Sequence, residues 1–264
     1  MVDVDLELLY GWMNAFIWPF VRILALVGTA PLFGESSIPV RVKVAYAVGI
    51  TIVITPALGP MPDLPTGSWA SLALILQQIL IGISIGLVIR VVFGAVITAG
   101  EFIGLQMGLA FASFFDPATG ANTAVLSRLM NVVAMLLFLA LDGHLIVIGA
   151  LVNTFHVLPI TADPTLDPEG WGVLFEWSAQ VMVSGMLLAL PLIMILLTIS
   201  LSMGILNRTA QQLSVFAVGF PISLMTGLLL LAVVLPQTAP FMTQFFNESY
   251  ETLARMIYRL VPNV

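Results

Sequence analysis

Six ionisable side chains lie inside apolar stretches of this sequence: Arg22, Arg90, Glu101, Arg128, Asp142 and His144. Any proton or ion chemistry would have to start there. Such a group costs about 2.5–3.5 kcal/mol at the centre of a bilayer, so it pairs or faces a cavity. Asp142-Gly143-His144 has the residue types of half a proton relay. The same run also makes a good helix interruption, and a lone histidine is more often a satisfied hydrogen-bonding group. No chain of further intramembrane carboxylates extends it. Other chemistries find no footing. There is no nucleotide-binding glycine loop followed by lysine, no pair of histidines at metal-ligand spacing, no cysteine, and no serine with a histidine close by. The residues therefore argue against an enzyme, and no cofactor is implied.

The elements that position these residues are set by composition. Of 264 residues 60% are hydrophobic and 8% charged, with a mean hydropathy of +1.10. A soluble domain carries about 25% charged residues, so most helix surfaces here must face lipid or protein. The expected fold is all-α: one multi-helix integral membrane protein with long, broken helices. The formal net charge of −6 offers no basic patch for nucleic acid. Asp3, Asp5 and Glu7 precede the first arginine, unlike a cleavable signal peptide, so the N-terminal segment is expected to be retained.

Apolar stretches run at 10–32, 42–58, 69–115, 127–160, 171–206 and 213–235, with a mixed segment at 239–262. Segment 69–115 would reach about 70 Å as one helix, against a hydrocarbon core of about 30 Å, so a break near Gly100 is expected. The segments 127–160 and 171–206 are overlong too. Arg41, Lys43 and Arg208 mark cytoplasmic connections, whereas Arg255 and Arg259 disagree with simple alternation. In the last segment Met242, Phe246, Leu253, Ile257 and Leu260 share one helix face. Gln244, Glu248, Glu251, Arg255 and Arg259 share the other, with Glu251 and Arg255 placed for an i,i+4 pair of about 0.3 kcal/mol.

Glycine is the most informative residue. Gly82 and Gly86 are one helical turn apart, and Gly100, Gly104 and Gly108 repeat that spacing. A stripe without side chains lets another backbone approach closely, either within the chain or at an inter-subunit seam. Immediately after it, Met107, Phe111, Phe114 and Phe115 alternate with small residues before Asp116-Pro117 and Gly120. Asp before Pro disfavours helix at 116. Non-helical backbone at membrane depth persists only where protein or a water-filled cavity satisfies it. The stretch reads either as a re-entrant hydrophobic plug or as a helix end followed by an exposed loop.

Three stretches resemble the FliR family, whose members form part of the type III export gate of flagella and related injectisomes. They are 19–56, with a Pro-framed loop before Arg41 and Lys43; 100–160, from Gly100-Glu101-Phe102 to Leu158-Pro159-Ile160; and 204–231, with the Arg208-Thr209-Ala210-Gln211-Gln212 turn. The flagellar branch is the better match. One departure is Gln211-Gln212-Leu213-Ser214, where the family often has Pro-Gln-Leu-Asn, which bears on the rigidity of the turn.

The resemblance implies a subunit of a closed pore complex in the bacterial cytoplasmic membrane, at the flagellar basal body. FliP-like and FliQ-like partners surround it, an FlhB-like subunit associates, and unfolded flagellar proteins are the cargo. It implies a FliP-like part at 1–170, a FliQ-like helical hairpin at 171–236 and an amphipathic C-terminal helix at 237–264. The plug falls at about 106–122, formed by Met107, Gly108, Phe111, Phe114, Phe115, Asp116, Pro117 and Gly120. Gly82, Gly86, Gly100 and Gly104 are the expected subunit-packing residues, and Arg208, Gln211 and Gln212 the cytoplasmic turn. Two rivals remain: an ion- or proton-coupled transporter using Arg22, Glu101, Asp142 and His144, and a non-conducting assembly scaffold.

Overall fold

A computed structural model describes residues 6–59, 68–109, 125–161, 165–209 and 218–262. Eight α-helices follow one another among these residues: α1 (Leu6–Thr29), α2 (Val40–Ile54), α3 (Trp69–Gln106), α4 (Val125–Ala140), α5 (Gly143–Val157), α6 (Glu169–Ser178), α7 (Gln180–Thr209) and α8 (Phe220–Arg259). By length and composition four segments can cross a membrane: Gly11–Thr29, Val40–Ala57, Trp69–Gln106 and Glu169–Arg208. The number rises to six if each of two bent helix pairs counts as one span.

Several hydroxyls inside these apolar helices bond back to their own backbone. Thr51 donates to the Ala47 carbonyl at 2.7 Å and Thr198 to Met194 at 2.8 Å. This keeps a polar atom satisfied without a partner helix. Pro19, Pro191, Pro236 and Pro240 lie inside helices, and α8 is bent between Pro236 and Thr238. Each proline removes an N–H and crowds the preceding turn, which is the ordinary cause of such a bend.

The breaks differ in part from the sequence expectation. Helix α3 runs unbroken through Gly100 for 38 residues, about 57 Å at the α-helical rise. Gly100 is a point of contact rather than a breaker: a Cβ there would lie 2.6 Å from the Ser127 Cα of α4. The expected interruption at Asp142-Gly143 is present. Asp142 takes a left-handed conformation (φ +54°) between α4 and α5, which an aspartate tolerates better than most side chains. The stretch 171–206 divides between α6 and α7. The amphipathic segment expected at 237–264 begins where α8 bends, between Pro236 and Thr238. Met242, Phe246, Leu253, Ile257 and Leu260 are buried there, and Gln244, Glu248, Glu251, Arg255 and Arg259 are exposed. Arg255 donates to Thr252 at 3.0 Å, in place of the expected pairing with Glu251.

Packing gathers the chain into two compact units: Met1–Arg90 with Asp142–Ser178 and Asn247–Val264, and Val91–Leu141 with Ala179–Phe246. In the first unit α1 crosses α3 at Gly82 and Gly86, where a Cβ would come within 2.7 Å of the Ala25 Cβ and 2.8 Å of the Thr29 Cβ. The indole N–H of Trp177 on α6 donates to the Val88 carbonyl at 2.9 Å. The Asp167 N–H donates to the Leu260 carbonyl at 3.1 Å, tying the start of α6 to the end of α8. In the second unit α7 crosses α3 at Gly185, whose Cβ would lie 2.8 Å from the Ala95 carbonyl oxygen. Phe93, Phe138 and Phe246 form a buried aromatic trio with centroids 5.3–5.8 Å apart. Large apolar side chains stay exposed on several helices, among them Val53, Trp69, Leu76, Leu201 and Leu229. Faces of that kind are covered by lipid or by other protein.

Candidate functional site

Helix α3 ends where the candidate plug begins, and the ending is a Schellman motif. The Gly108 N–H donates to the Leu105 carbonyl at 3.1 Å and the Leu109 N–H to the Gly104 carbonyl at 3.0 Å. Gly108 has φ +79°, the left-handed conformation that this motif needs at its reversing residue. Two otherwise unpaired carbonyls are thereby satisfied inside apolar surroundings. Gly104 plays a different part. A Cβ on it would meet the Leu109 Cδ1 at 3.8 Å and the Leu126 Cβ at 4.0 Å, ordinary contact distances.

Met107, between the last helical residue and the reversal, is 1% exposed. Its thioether lies across Gly227 of α8: a Cβ on Gly227 would be 2.5 Å from Cγ, 2.7 Å from Sδ and 2.8 Å from Cε. The sequence drew attention to Met107 and Gly108 but not to Gly227 or Leu109. Gly227 sits mid-helix in an apolar run with no turn residue near it, so only its unexpected smallness could have flagged it.

Of the other expected plug residues, Phe111, Phe114, Phe115, Asp116, Pro117 and Gly120 lie outside the described residues, as do Gln211 and Gln212 of the turn. Arg208 is exposed in the last turn of α7, where a cation complements the helix dipole. Gly82, Gly86 and Gly100 each meet a helix of this same chain, and Gly104 is buried beside α4.

Arg22 is the buried polar centre of the first unit, with none of its surface exposed. Nε donates to Gln78 Oε1 at 2.7 Å, Nη1 to Thr154 Oγ1 at 3.1 Å and Nη2 to the Leu158 carbonyl at 3.1 Å. The guanidinium carbon stands 4.2 Å from the centroid of the Phe155 ring, a cation–π contact worth about 2 kcal/mol when desolvated. Gln78 donates in turn to Gln77 Oε1 at 2.8 Å. The charge is dispersed over neutral acceptors and a ring face, and α1, α3 and α5 are joined at one point. Gln77-Gln78 and Thr154, polar residues inside long apolar runs, were the available signal for this knot.

The relay residues do not assemble into one. Asp142 and Glu101 are exposed, and His144 Nδ1 is buried with no partner among the described residues. Gly82-Ile83-Ser84-Ile85-Gly86 has the spacing of a nucleophile elbow, but it lies in the middle of α3. Ser84 is buried there and donates to the Leu80 carbonyl. A nucleophile elbow is a strand-to-helix turn that exposes the hydroxyl, which a buried serine inside a helix is not. Among the described residues no three metal-ligating side chains come together.

Comparison with known proteins places these helices in a family. The family described as bacterial export proteins, family 1, matches residues 13–249. The chain is 47% identical over 260 residues to the flagellar biosynthetic protein FliR of Escherichia coli K12, covering 98% of this chain and 99% of that one. Identity is also 47% over 250 residues with its counterpart from Pectobacterium carotovorum, with 95% of each chain covered. For the FliR of Bacillus subtilis it is 26% over 245 residues, covering 92% and 94%. The chain belongs to the FliR family of bacterial export proteins, non-enzymatic flagellar components of the inner membrane.

Proposed function

We propose that this chain is a pore-forming subunit of the flagellar type III export gate, with the segment at about 106–122 closing the channel by hydrophobic contact. The observation that carries the reading is the reversal at Gly108. An apolar helix about 57 Å long stops in a satisfied cap, and the run containing Phe111, Phe114 and Phe115 follows directly. Unfolded polypeptide must pass such a conduit during export, while ions are held back at rest. Aliphatic and aromatic side chains exclude water by packing and yield without breaking charged contacts. The exposed apolar faces of α2, α3, α7 and α8 support burial against FliP-like and FliQ-like neighbours, with an FlhB-like subunit joining them. Residues 171–236 supply the FliQ-like hairpin and residues 1–170 the FliP-like part.

A coupled transporter is less well supported. Arg22 spends its donors on Gln78, Thr154 and Leu158, and neither Glu101 nor Asp142 is buried. The test of the gate reading is Phe114→Ala with Phe115→Ala in cells expressing the whole complex. Ion conductance or uptake of a small dye is expected to rise severalfold while the complex still assembles. Unchanged leakage in an intact complex overturns the barrier and leaves this segment a structural role.

A further inference from the structure

We propose that Gly227 is the seat of the Met107 side chain, and that this contact latches the chain where it leaves α3. The inference rests on the barrier reading, and adds a residue of α8 that sets the barrier's resting position.

The thioether fills the space that any side chain at 227 would occupy, since Cγ, Sδ and Cε all lie within 2.8 Å of the place of a Cβ. Gly227 has no left-handed conformation to explain it. A helix-interior glycine is about 1 kcal/mol less favourable than alanine, and whereas Gly49 and Gly149 face open space, Gly227 faces the Met107 side chain. Methionine suits a latch: it is unbranched, turns about three bonds, and can leave an apolar seat without breaking a polar bond. Its place in the chain gives the contact leverage. The Met107 N–H still donates to Ile103 at 2.9 Å, whereas the next residue reverses the backbone. Displacing the Met107 side chain therefore acts on the pivot from which the following residues depart. Gly227 is a positioning residue in this account, since it works through Met107.

The experiment uses the complete gate in cells, with assembly checked for each variant. Gly227→Val is expected to raise conductance or dye uptake severalfold. Adding Met107→Ala to it should bring leakage back toward the parent, because the smaller side chain vacates the contested volume. The double variant should thus depart from the product of the single effects by about fivefold or more. Leakage like the parent's in assembled Gly227→Val, or leakage indifferent to residue 107, overturns the latch. Should valine prevent assembly, a cysteine pair takes its place, because the native chain has no cysteine. Met107→Cys with Gly227→Cys is expected to cross-link under a thiol oxidant and stop export, with recovery on reduction. Failure to cross-link, or export that continues in the cross-linked gate, also overturns it. If Phe114→Ala and Phe115→Ala leak but the Gly227 variants do not, the latch fails and the barrier stands. If neither set leaks, both fail.

Discussion

Among the described residues the joints that stand out differ between the two compact units, although the first also has close glycine crossings at Gly82 and Gly86. In the first, directional bonds cross between helices: Arg22 binds Gln78, Thr154 and the Leu158 carbonyl, Trp177 binds Val88, and Asp167 binds Leu260. In the second, the crossings at Gly100, Gly185 and Gly227 and the trio Phe93, Phe138 and Phe246 are matters of shape. Lipid tails are as apolar as leucine, so hydrophobicity alone does not choose how membrane helices sit together. A hydrogen bond made at one residue fixes register there. A smooth contact over a glycine excludes bulk but resists a small slide far less. The segment proposed as the barrier follows the end of α3 in this second unit.

That contrast can be broken most directly at Arg22. Arg22→Ala should leave Gln78 Oε1, Thr154 Oγ1 and the Leu158 carbonyl without their donor. Each buried group left unsatisfied costs about 1–3 kcal/mol, with a cavity added. The purified complex should unfold at a much lower temperature or fail to accumulate. A thermal midpoint equal to the parent's would show that the knot is dispensable. A smaller effect is expected at the α1–α3 crossing. Gly82→Leu forces backbones apart and should cost about 1–3 kcal/mol or more, read in the same unfolding assay. If it is neutral, the close approach at Gly82 does not hold the unit.

The smallest effects have opposite signs and sharpen the comparison within one turn of α3. Gly108→Ala places a Cβ on a left-handed residue and should destabilise by about 1–2 kcal/mol. Gly104→Ala meets its neighbours at ordinary distances, and removes a helix-interior glycine, so it should stabilise by up to about 1 kcal/mol. Both are measurable as shifts in the denaturation midpoint of the same complex. Equal effects at the two positions would mean that the stripe acts as a single surface.

Much of the fold was legible in residue types. Apolar runs marked where helices lie, Asp142-Gly143 marked a true break, and Met242, Phe246, Leu253, Ile257 and Leu260 were seen to share one helix face, which the structure buries. The break expected at Gly100 was not there, because glycine has two uses that composition cannot tell apart. At Gly100 it admits the Ser127 backbone and the helix continues, whereas at Gly108 it reverses the chain. Partners distant in sequence were the hardest to see. Arg22 stood out as a costly charge, but nothing local tied it to Thr154 or Leu158. Likewise Met107 was singled out while Gly227 was not, since their contact depends on how α3 and α8 are brought together.

The same knot governs the order of assembly during synthesis. Arg22 emerges from the ribosome in the first apolar segment, yet the last of its three acceptors is the Leu158 carbonyl, 136 residues later. At about 5–20 residues per second, the guanidinium waits roughly 7 to 27 seconds for a complete shell. Until then the Arg22 charge on α1 lacks acceptors that it has in the folded chain, and a water-rich surrounding suits it better than an apolar one. The first unit also requires residues 247–264, which follow everything that the second unit needs. The unit begun first is therefore the one whose residues are completed last, and a chain ending at residue 246 would hold all of the second unit but not the last segment of the first.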